Sequence, residues 1–162
     1  VRLIDTGTLT DVKVIQFTGL EAAAVFGPFS LQSEWIGTQV SRDNGAEDLD
    51  FSAWYAYASW FLTGESRPYK NGIFDRIKPK STVGQGGIGA WEVAVRYSQA
   101  DLTDGSVIGG EEENLTFGVN WYAAQNVRFA ANYIKVLELD RPGNQYDDEK
   151  LDSVVLRAQI DF

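Results

Sequence analysis

The chain has 162 residues, a net charge of −9, and no Cys, no His and no Met. The missing Cys and His exclude disulfides, thiolate metal sites and Cys nucleophiles, and they remove the commonest general base and metal ligand. The strong negative charge argues against nonspecific binding to nucleic acid.

The mean hydropathy of −0.22 does not by itself indicate a membrane protein. No run approaches the roughly 20 consecutive apolar residues of a transmembrane helix. The strands of a membrane β-barrel, however, alternate lipid-facing apolar residues with lumen-facing polar ones, so their mean hydropathy stays low. Alternation along the chain is therefore the informative pattern.

Seven alternating runs predict seven β-strands. In chain order they are residues 14–26, 29–40, 51–62, 90–99, 114–123, 127–135 and 154–162, and residues 1–9 would add an irregular eighth. The run 51–62 is apolar on both faces, and we predict that its lipid-facing residues are Trp54, Ala56, Ala58, Trp60 and Leu62. Each of the last four runs has large apolar residues on one face and charged, amide or small residues on the other.

Four charged residues lie on the polar face of these later runs. They are Glu92, Arg96, Arg128 and Arg157. In a barrel they would face the lumen, where they either line the permeation path or satisfy one another as salt-bridged residues of the wall.

Aromatic residues and connection lengths favour a membrane barrel over a soluble β-domain. Aromatic residues lie near the ends of the runs, where girdles at the two membrane interfaces would place them; they are Phe26, Phe29, Trp60, Trp91, Trp121 and Tyr133. Connections alternate between tight turns and long acidic segments, residues 42–50, 101–113 and 138–152. Outer-membrane barrels have short periplasmic turns and long external loops. The chain is therefore predicted to be an all-β, antiparallel transmembrane β-barrel.

Residues 64–87 are an exception, because this long connection falls on the periplasmic side. Five basic residues and only Glu65 and Asp75 lie in it, a net charge of +3; the basic residues are Arg67, Lys70, Arg76, Lys78 and Lys80. One interpretation is an electropositive, pore-constricting collar that attracts anions, with Ile73 and Phe74 anchoring it to the wall. The other is an ordinary basic turn near the membrane surface.

The long acidic segments hold 15 of the 23 acidic residues. Carboxylates are good Ca²⁺ ligands, but the clusters at residues 111–113 and 147–149 match no known loop motif. We interpret them as a solvated external surface, bridged to lipopolysaccharide through divalent cations, and we expect no metal site and no cofactor. Without His the sequence also offers no nucleophile-base pair, so we do not expect an enzyme.

Several short motifs occur in order along the chain and resemble one family. They are Phe61-Leu62-Thr63-Gly64-Glu65 before Arg67-Pro68-Tyr69, Gly89-Ala90-Trp91-Glu92 before Arg96-Tyr97-Ser98, Gly118-Val119-Asn120-Trp121-Tyr122, and Asn126-Val127-Arg128-Phe129. Their succession resembles the phosphate-selective porin O and P family. The terminal Phe162, after alternating apolar residues, is similar to the signal read by the outer-membrane insertion machinery.

The resemblance implies an outer-membrane porin for passive diffusion of small hydrophilic solutes, including anions such as phosphate. It implies a 16-stranded barrel, usually a homotrimer, of which residues 1–162 would be the C-terminal half with roughly the last seven or eight strands. It also implies that a long periplasmic-side turn, here residues 64–87, narrows the pore. The phosphate-binding arginines of the family lie mostly upstream, so phosphate specificity is not carried over. The alternative is a complete eight-stranded barrel with a structural or interaction role.

Overall fold

Seven long strands form one antiparallel sheet in the computed structural model, which describes residues 2–70, 72–145 and 147–161. The strands are β1 (Val12–Phe26), β2 (Phe29–Arg42), β3 (Leu49–Phe61), β4 (Tyr69–Lys70), β5 (Ile73–Phe74), β6 (Ala90–Asp104), β7 (Val107–Ala124), β8 (Val127–Asp140) and β9 (Asp152–Ile160). The sheet follows chain order, β1-β2-β3-β6-β7-β8-β9, and β4 and β5 form a separate hairpin. Within the described residues, no helix is long and apolar enough to cross a membrane.

The seven predicted strands are all present, but residues 1–9 are not an eighth. The described part of this segment contains no strand. Gly7 adopts a φ of +70°, which interrupts an extended backbone. The segment is instead held by separate contacts: the Asp5 amide donates to Gly109 O at 2.8 Å, and Arg141 donates to Leu3 O at 3.3 Å. It therefore lies across the ends of other strands without pairing along one.

The register joins the predicted apolar faces into one surface. Residues paired across antiparallel strands point to the same side of a sheet. One such row crosses all seven strands: Phe26, Phe29, Trp60, Val93, Val119, Ala131 and Leu156. The register places the predicted lipid-facing residues of β3 on this apolar side, since Trp54 pairs with Trp35 and Ala58 with Leu31.

This apolar surface, which we call the outer face, is exposed. Leu156 is 76% exposed, Leu20 68% and Phe117 50%. A sheet in water would bury such a continuous surface, because large exposed apolar patches mark sites of contact with protein or membrane. Each strand of the sheet has at least nine residues, the length a tilted strand needs to cross a bilayer.

Stacked aromatic rings cross the outer face near the end of the sheet that carries the tight turns, which we call the short-turn end. The ring centroids of Trp91 and Trp121 are 5.6 Å apart, and those of Trp121 and Phe129 are 5.4 Å apart. Phe29 and Trp60 stack at 5.5 Å. Such a row is typical of the aromatic girdle at a membrane interface.

One predicted loop is wrong. The sequence predicts a long external connection over residues 101–113, but β6 and β7 continue through them to a turn of Gly105 and Ser106, flanked by the pair Asp104 and Val107. The strands extend because Leu102 and Val107 pack against a buried cluster of Val40, Leu49 and Phe51. The acidic residues 111–113 therefore lie in a strand, where successive side chains point to opposite faces.

The sheet has two free edges. Among the described residues, β1 pairs with β2 alone and β9 with β8 alone. Neither the additional eighth strand nor the closure of a small eight-stranded barrel, the alternative interpretation, is seen in this part of the chain.

Candidate functional site

The basic turn, residues 64–87, connects two strands that are direct neighbours. β3 and β6 are paired, and the last pair is Phe61 with Glu92. The turn therefore leaves the sheet and returns to it at adjacent positions, at the short-turn end. Its own structure includes the β4–β5 hairpin, in which Tyr69 pairs with Phe74. A short turn would be enough to join two neighbouring strands. The position of this longer connection is therefore set by its contacts with the sheet.

Ile77 anchors the basic turn to the sheet. Its side chain is only 4% exposed and belongs to a buried cluster with Phe61, Ala90 and Tyr122. Phe61 and Ala90 pair with Glu92 and Tyr122 respectively, so these residues lie on the face opposite the aromatic girdle, which we call the inner face. The turn thus folds against the inner face.

The predicted apolar anchor is partly wrong. Ile73 is 70% exposed and contributes little to the attachment of the turn. Phe74 is half-buried, with its ring centroid 5.6 Å from the Arg67 guanidinium carbon. The main apolar contact comes from Ile77, a lone apolar residue between Arg76 and Lys78 whose burial no local pattern indicates.

Glu65 joins the two ends of the turn. It is buried, it accepts a hydrogen bond from the Thr63 hydroxyl, and it accepts one from the Lys80 amide at 3.0 Å. The Lys80 ammonium donates to Gly64 O at 2.5 Å. Burial raises the pKa of Glu65, but the hydrogen bonds from Thr63 and Lys80 outweigh it and hold that pKa below its ordinary value. The carboxylate is therefore charged at neutral pH.

Glu92 of β6 is fully buried on the inner face and binds the turn. The Arg67 guanidinium, whose side chain is 16% exposed, donates to it in an ion pair. The same carboxylate accepts hydrogen bonds from Asn120 Nδ2 at 3.0 Å, the Tyr122 hydroxyl at 3.1 Å and the Tyr57 hydroxyl at 3.4 Å. Its partners thus come from β3, β7 and the turn.

Arg128 extends this polar cluster along β8. Its guanidinium donates to Asn120 Oδ1 at 2.7 Å and lies 5.3 Å from the ring centroid of Tyr122. The Nε atoms of Arg67 and Arg128 are buried, and the described residues supply no hydrogen-bond partner for either. Two guanidiniums, one from the turn and one from the wall, therefore share one buried carboxylate network.

The five basic residues predicted for the collar separate into two groups. Arg67 is largely buried and neutralised by Glu92. The other four are exposed: Lys70, Arg76, Lys78 and Lys80. A cavity of about 220 Å³ lies between the turn and the wall, and its lining includes both basic and acidic residues, among them Arg67, Arg76, Arg128, Asp75 and Asp161. The cavity lining thus has three basic and two acidic side chains, and Arg76 belongs both to this lining and to the exposed group.

The four predicted lumen residues share the inner face. The register places Glu92 beside Asn120, Asn120 beside Ala130 and Ala130 beside Arg157. Arg96 stacks on Tyr55, with its guanidinium carbon 4.1 Å from the ring centroid.

Their contacts differ from the predicted pairing. Glu92 pairs with Arg67 of the turn, while Arg157 is exposed on β9. The sequence reading missed Tyr57 and Tyr122 as members of the polar cluster, although the alternation of their strands puts both on the inner face. That these residues line a permeation path stays a prediction, as does the insertion role of Phe162, which lies outside the described residues.

Comparison with known proteins finds a family model that spans the whole chain and two relatives that cover most of it. The sequence model of the family described as "Phosphate-selective porin O and P" matches residues 1–162. Porin O of Pseudomonas aeruginosa is 35% identical over 158 residues, which covers 89% of this chain and 34% of that protein. An uncharacterized protein of Caulobacter vibrioides is 35% identical over 132 residues, which covers 82% of this chain and 26% of that protein. The chain thus spans about a third or less of the length of these relatives.

Proposed function

The chain belongs to the phosphate-selective porin O and P family, and we propose that it forms part of the wall and the constriction of a water-filled channel for small hydrophilic solutes. Phosphate and other anions are the proposed solutes. The predicted location in the bacterial outer membrane is confirmed by the family. Membership of this porin family also suggests a channel and not an enzyme.

The proposed barrel is larger than this sheet. In lipid, every backbone polar group must be satisfied within the protein, so a sheet with free edges cannot span a membrane. The free edges of β1 and β9 therefore need further strands, and the chain spans 34% of porin O. We propose that residues 1–162 are the C-terminal part of a 16-stranded barrel, assembled as a homotrimer. A count of eight strands in the intact barrel would contradict this and favour the small closed barrel.

The basic turn is the proposed constriction at the periplasmic mouth, and the burial of Ile77 against Phe61 and Tyr122 is the observation that carries the proposal. This contact holds the turn on the inner face, which is the lumen side of a barrel. Four exposed basic residues are thereby fixed at the mouth. Charge of one sign in a cleft with low-dielectric walls raises the local concentration of counter-ions. The turn would therefore favour anions.

Reversal potential in a salt gradient tests this proposal on the intact channel in a planar bilayer. Changing Arg76, Lys78 and Lys80 together to Glu alters the charge of the turn by −6, from +3 to −3. We expect the anion/cation permeability ratio to fall. The effect should be strong at 0.1 M salt and weak at 1 M, because the Debye length shrinks from about 10 Å to about 3 Å.

A matched pair of single changes locates the effect. Lys78→Glu alters the exposed turn, and Lys150→Glu makes the same charge change in the connection between β8 and β9. Lys78→Glu should lower the anion/cation permeability ratio more than Lys150→Glu does, because only Lys78 lies at the proposed periplasmic mouth. Equal effects, or an unchanged ratio in the triple variant at low salt, would make the segment an ordinary periplasmic turn.

The opposite end of the sheet is the proposed cell-surface side. It carries exposed acidic residues such as Asp43 and Glu47. We propose that these meet lipopolysaccharide through divalent cations, while the outer face contacts lipid. Of the predicted lumen residues, Arg96, Arg128 and Arg157 are proposed to line the path, whereas Glu92, which is fully buried, holds the turn that narrows it.

A further inference from the structure

We propose that Glu92 is a positioning residue that latches the basic turn to the barrel wall, acting through Arg67. The inference rests on the proposed function, in which this turn forms the constriction. It adds a specific device: one buried carboxylate of the wall decides whether the constriction is in place.

The wall holds Glu92 ready for the turn. Asn120 and Tyr122 of β7 and Tyr57 of β3 donate to its carboxylate, and none of these three belongs to the turn. Hydrogen bonds from strands on both sides fix the orientation of the carboxylate before Arg67 arrives. An acceptor held in this way loses little conformational freedom when the turn binds.

The turn delivers one basic side chain to that acceptor. Arg67 is the only one of the five basic residues of the turn that is largely buried, and it ends at Glu92. Its guanidinium carbon lies 5.5 Å from the ring centroid of Phe61, which belongs to the wall, and 5.6 Å from that of Phe74, which belongs to the β4–β5 hairpin. The hairpin therefore covers the guanidinium of Arg67, which is paired with Glu92 of the wall.

The pairing makes the latch sensitive to either partner. Removing one member of a buried ion pair leaves an uncompensated charge, which costs much more than removing both. With Glu92 neutral, Arg67 would favour water over its buried position. If Arg67 left the wall, the segment that follows it, including Ile77, would be pulled away from the inner face.

Limited proteolysis reports on the latch without reference to ion selectivity. Trypsin cleaves after Arg76 only when Ile77 leaves its buried site between Phe61 and Tyr122, so cleavage there measures undocking of the turn. The assay uses the intact, folded channel, with folding checked by the heat-induced shift in gel mobility. Glu92→Gln should increase the cleavage rate by roughly tenfold or more. Glu21→Gln, which removes an exposed carboxylate of the inner face on β1, should not change it.

A double-mutant cycle separates a latch from general weakening of the wall. Arg67→Met leaves the hydrogen bonds among Glu92, Asn120 and Tyr57 in place, so it also serves if Glu92→Gln fails to fold. We expect Arg67→Met to accelerate cleavage as well. Adding Glu92→Gln to it should produce much less than the product of the two single effects.

Wild-type cleavage rates in both Glu92→Gln and Arg67→Met would overturn the latch, and so would fully multiplicative effects in the double variant. The proposed function fails differently. If the turn undocks but the anion/cation permeability ratio stays unchanged, the latch stands and the turn is not the selectivity element.

Discussion

An Arg placed at Phe117 should test which side of the sheet faces lipid. Phe117 lies on the outer face of β7, pairs with Val95 and Tyr133, and is 50% exposed. In the membrane this side chain would contact acyl chains. Asn132 of β8 is the matched control, because it precedes Tyr133 and points to the inner face opposite Gly118.

The expected cost follows from the depth of Phe117. It lies four residues from Trp121 of the aromatic girdle, which is about 13 Å along a strand. With a strand tilt of about 45°, this becomes about 9 Å of depth. The apolar band is about 25 Å tall, so Phe117 is close to the midplane, where an Arg costs about 2–4 kcal/mol. Asn132→Arg faces water and has space beside Gly118, so its cost should be much smaller.

The free energy of unfolding, measured by denaturant titration of the intact barrel in phospholipid vesicles, gives the comparison. Phe117→Ala separates the loss of the ring from the cost of the charge. We expect Phe117→Arg to be less stable than Phe117→Ala, while Asn132→Arg stays close to wild type. Equal destabilisation by the two Arg variants would refute the assignment of the outer face to lipid.

Three further predictions concern the turn and the end of the chain. Ile77→Ala should cost about 2–4 kcal/mol of docking free energy through loss of buried contacts; a tryptic cleavage rate equal to that of wild type would contradict it. Because the pKa of Glu65 is lowered in the folded protein, its contribution is present above the ordinary pKa of a glutamate, about 4, and is lost as the pH falls through the lower folded value. Hydrogen exchange at the Lys80 amide should therefore stay protected at pH 5, and Glu65→Leu, which removes the acceptor of its hydrogen bond, should abolish that protection. Deleting Phe162 should leave protein in the periplasm, and normal surface levels of the truncated protein would count against its role as an insertion signal.

The strands and their facing could be predicted from the sequence because both depend on local alternation. Side chains in a strand alternate with a period of two, so the positions of Leu115, Phe117 and Val119 define one face wherever the strand lies. A one-residue slip in pairing would move an apolar face to the wrong side, which is why the observed register joins the faces predicted strand by strand. The succession of short motifs likewise indicated the family without any coordinates.

The length of the strands β6 and β7 at the end opposite the short-turn end depends on tertiary packing. Residues 101–113 are rich in Asp, Glu and Gly and read as a loop, yet Leu102 and Val107 pack against Val40, Leu49 and Phe51 and hold the hairpin together. In that cluster, Leu102 lies 51 residues after Phe51 in the chain. No local window contains the contacts that outweigh the loop-like composition.

The candidate site shows the same division. Residues 64–87 can be identified from composition alone as a long basic connection between two strands, with a net charge of +3. The burial of Ile77 in place of Ile73, and the pairing of Arg67 with a carboxylate 25 residues away, are visible only in the folded protein. Burial and ion pairing depend on which surfaces meet. Charge and alternation are properties of the local chain, whereas the partner of Arg67 is set by the register of β3, β6 and β7.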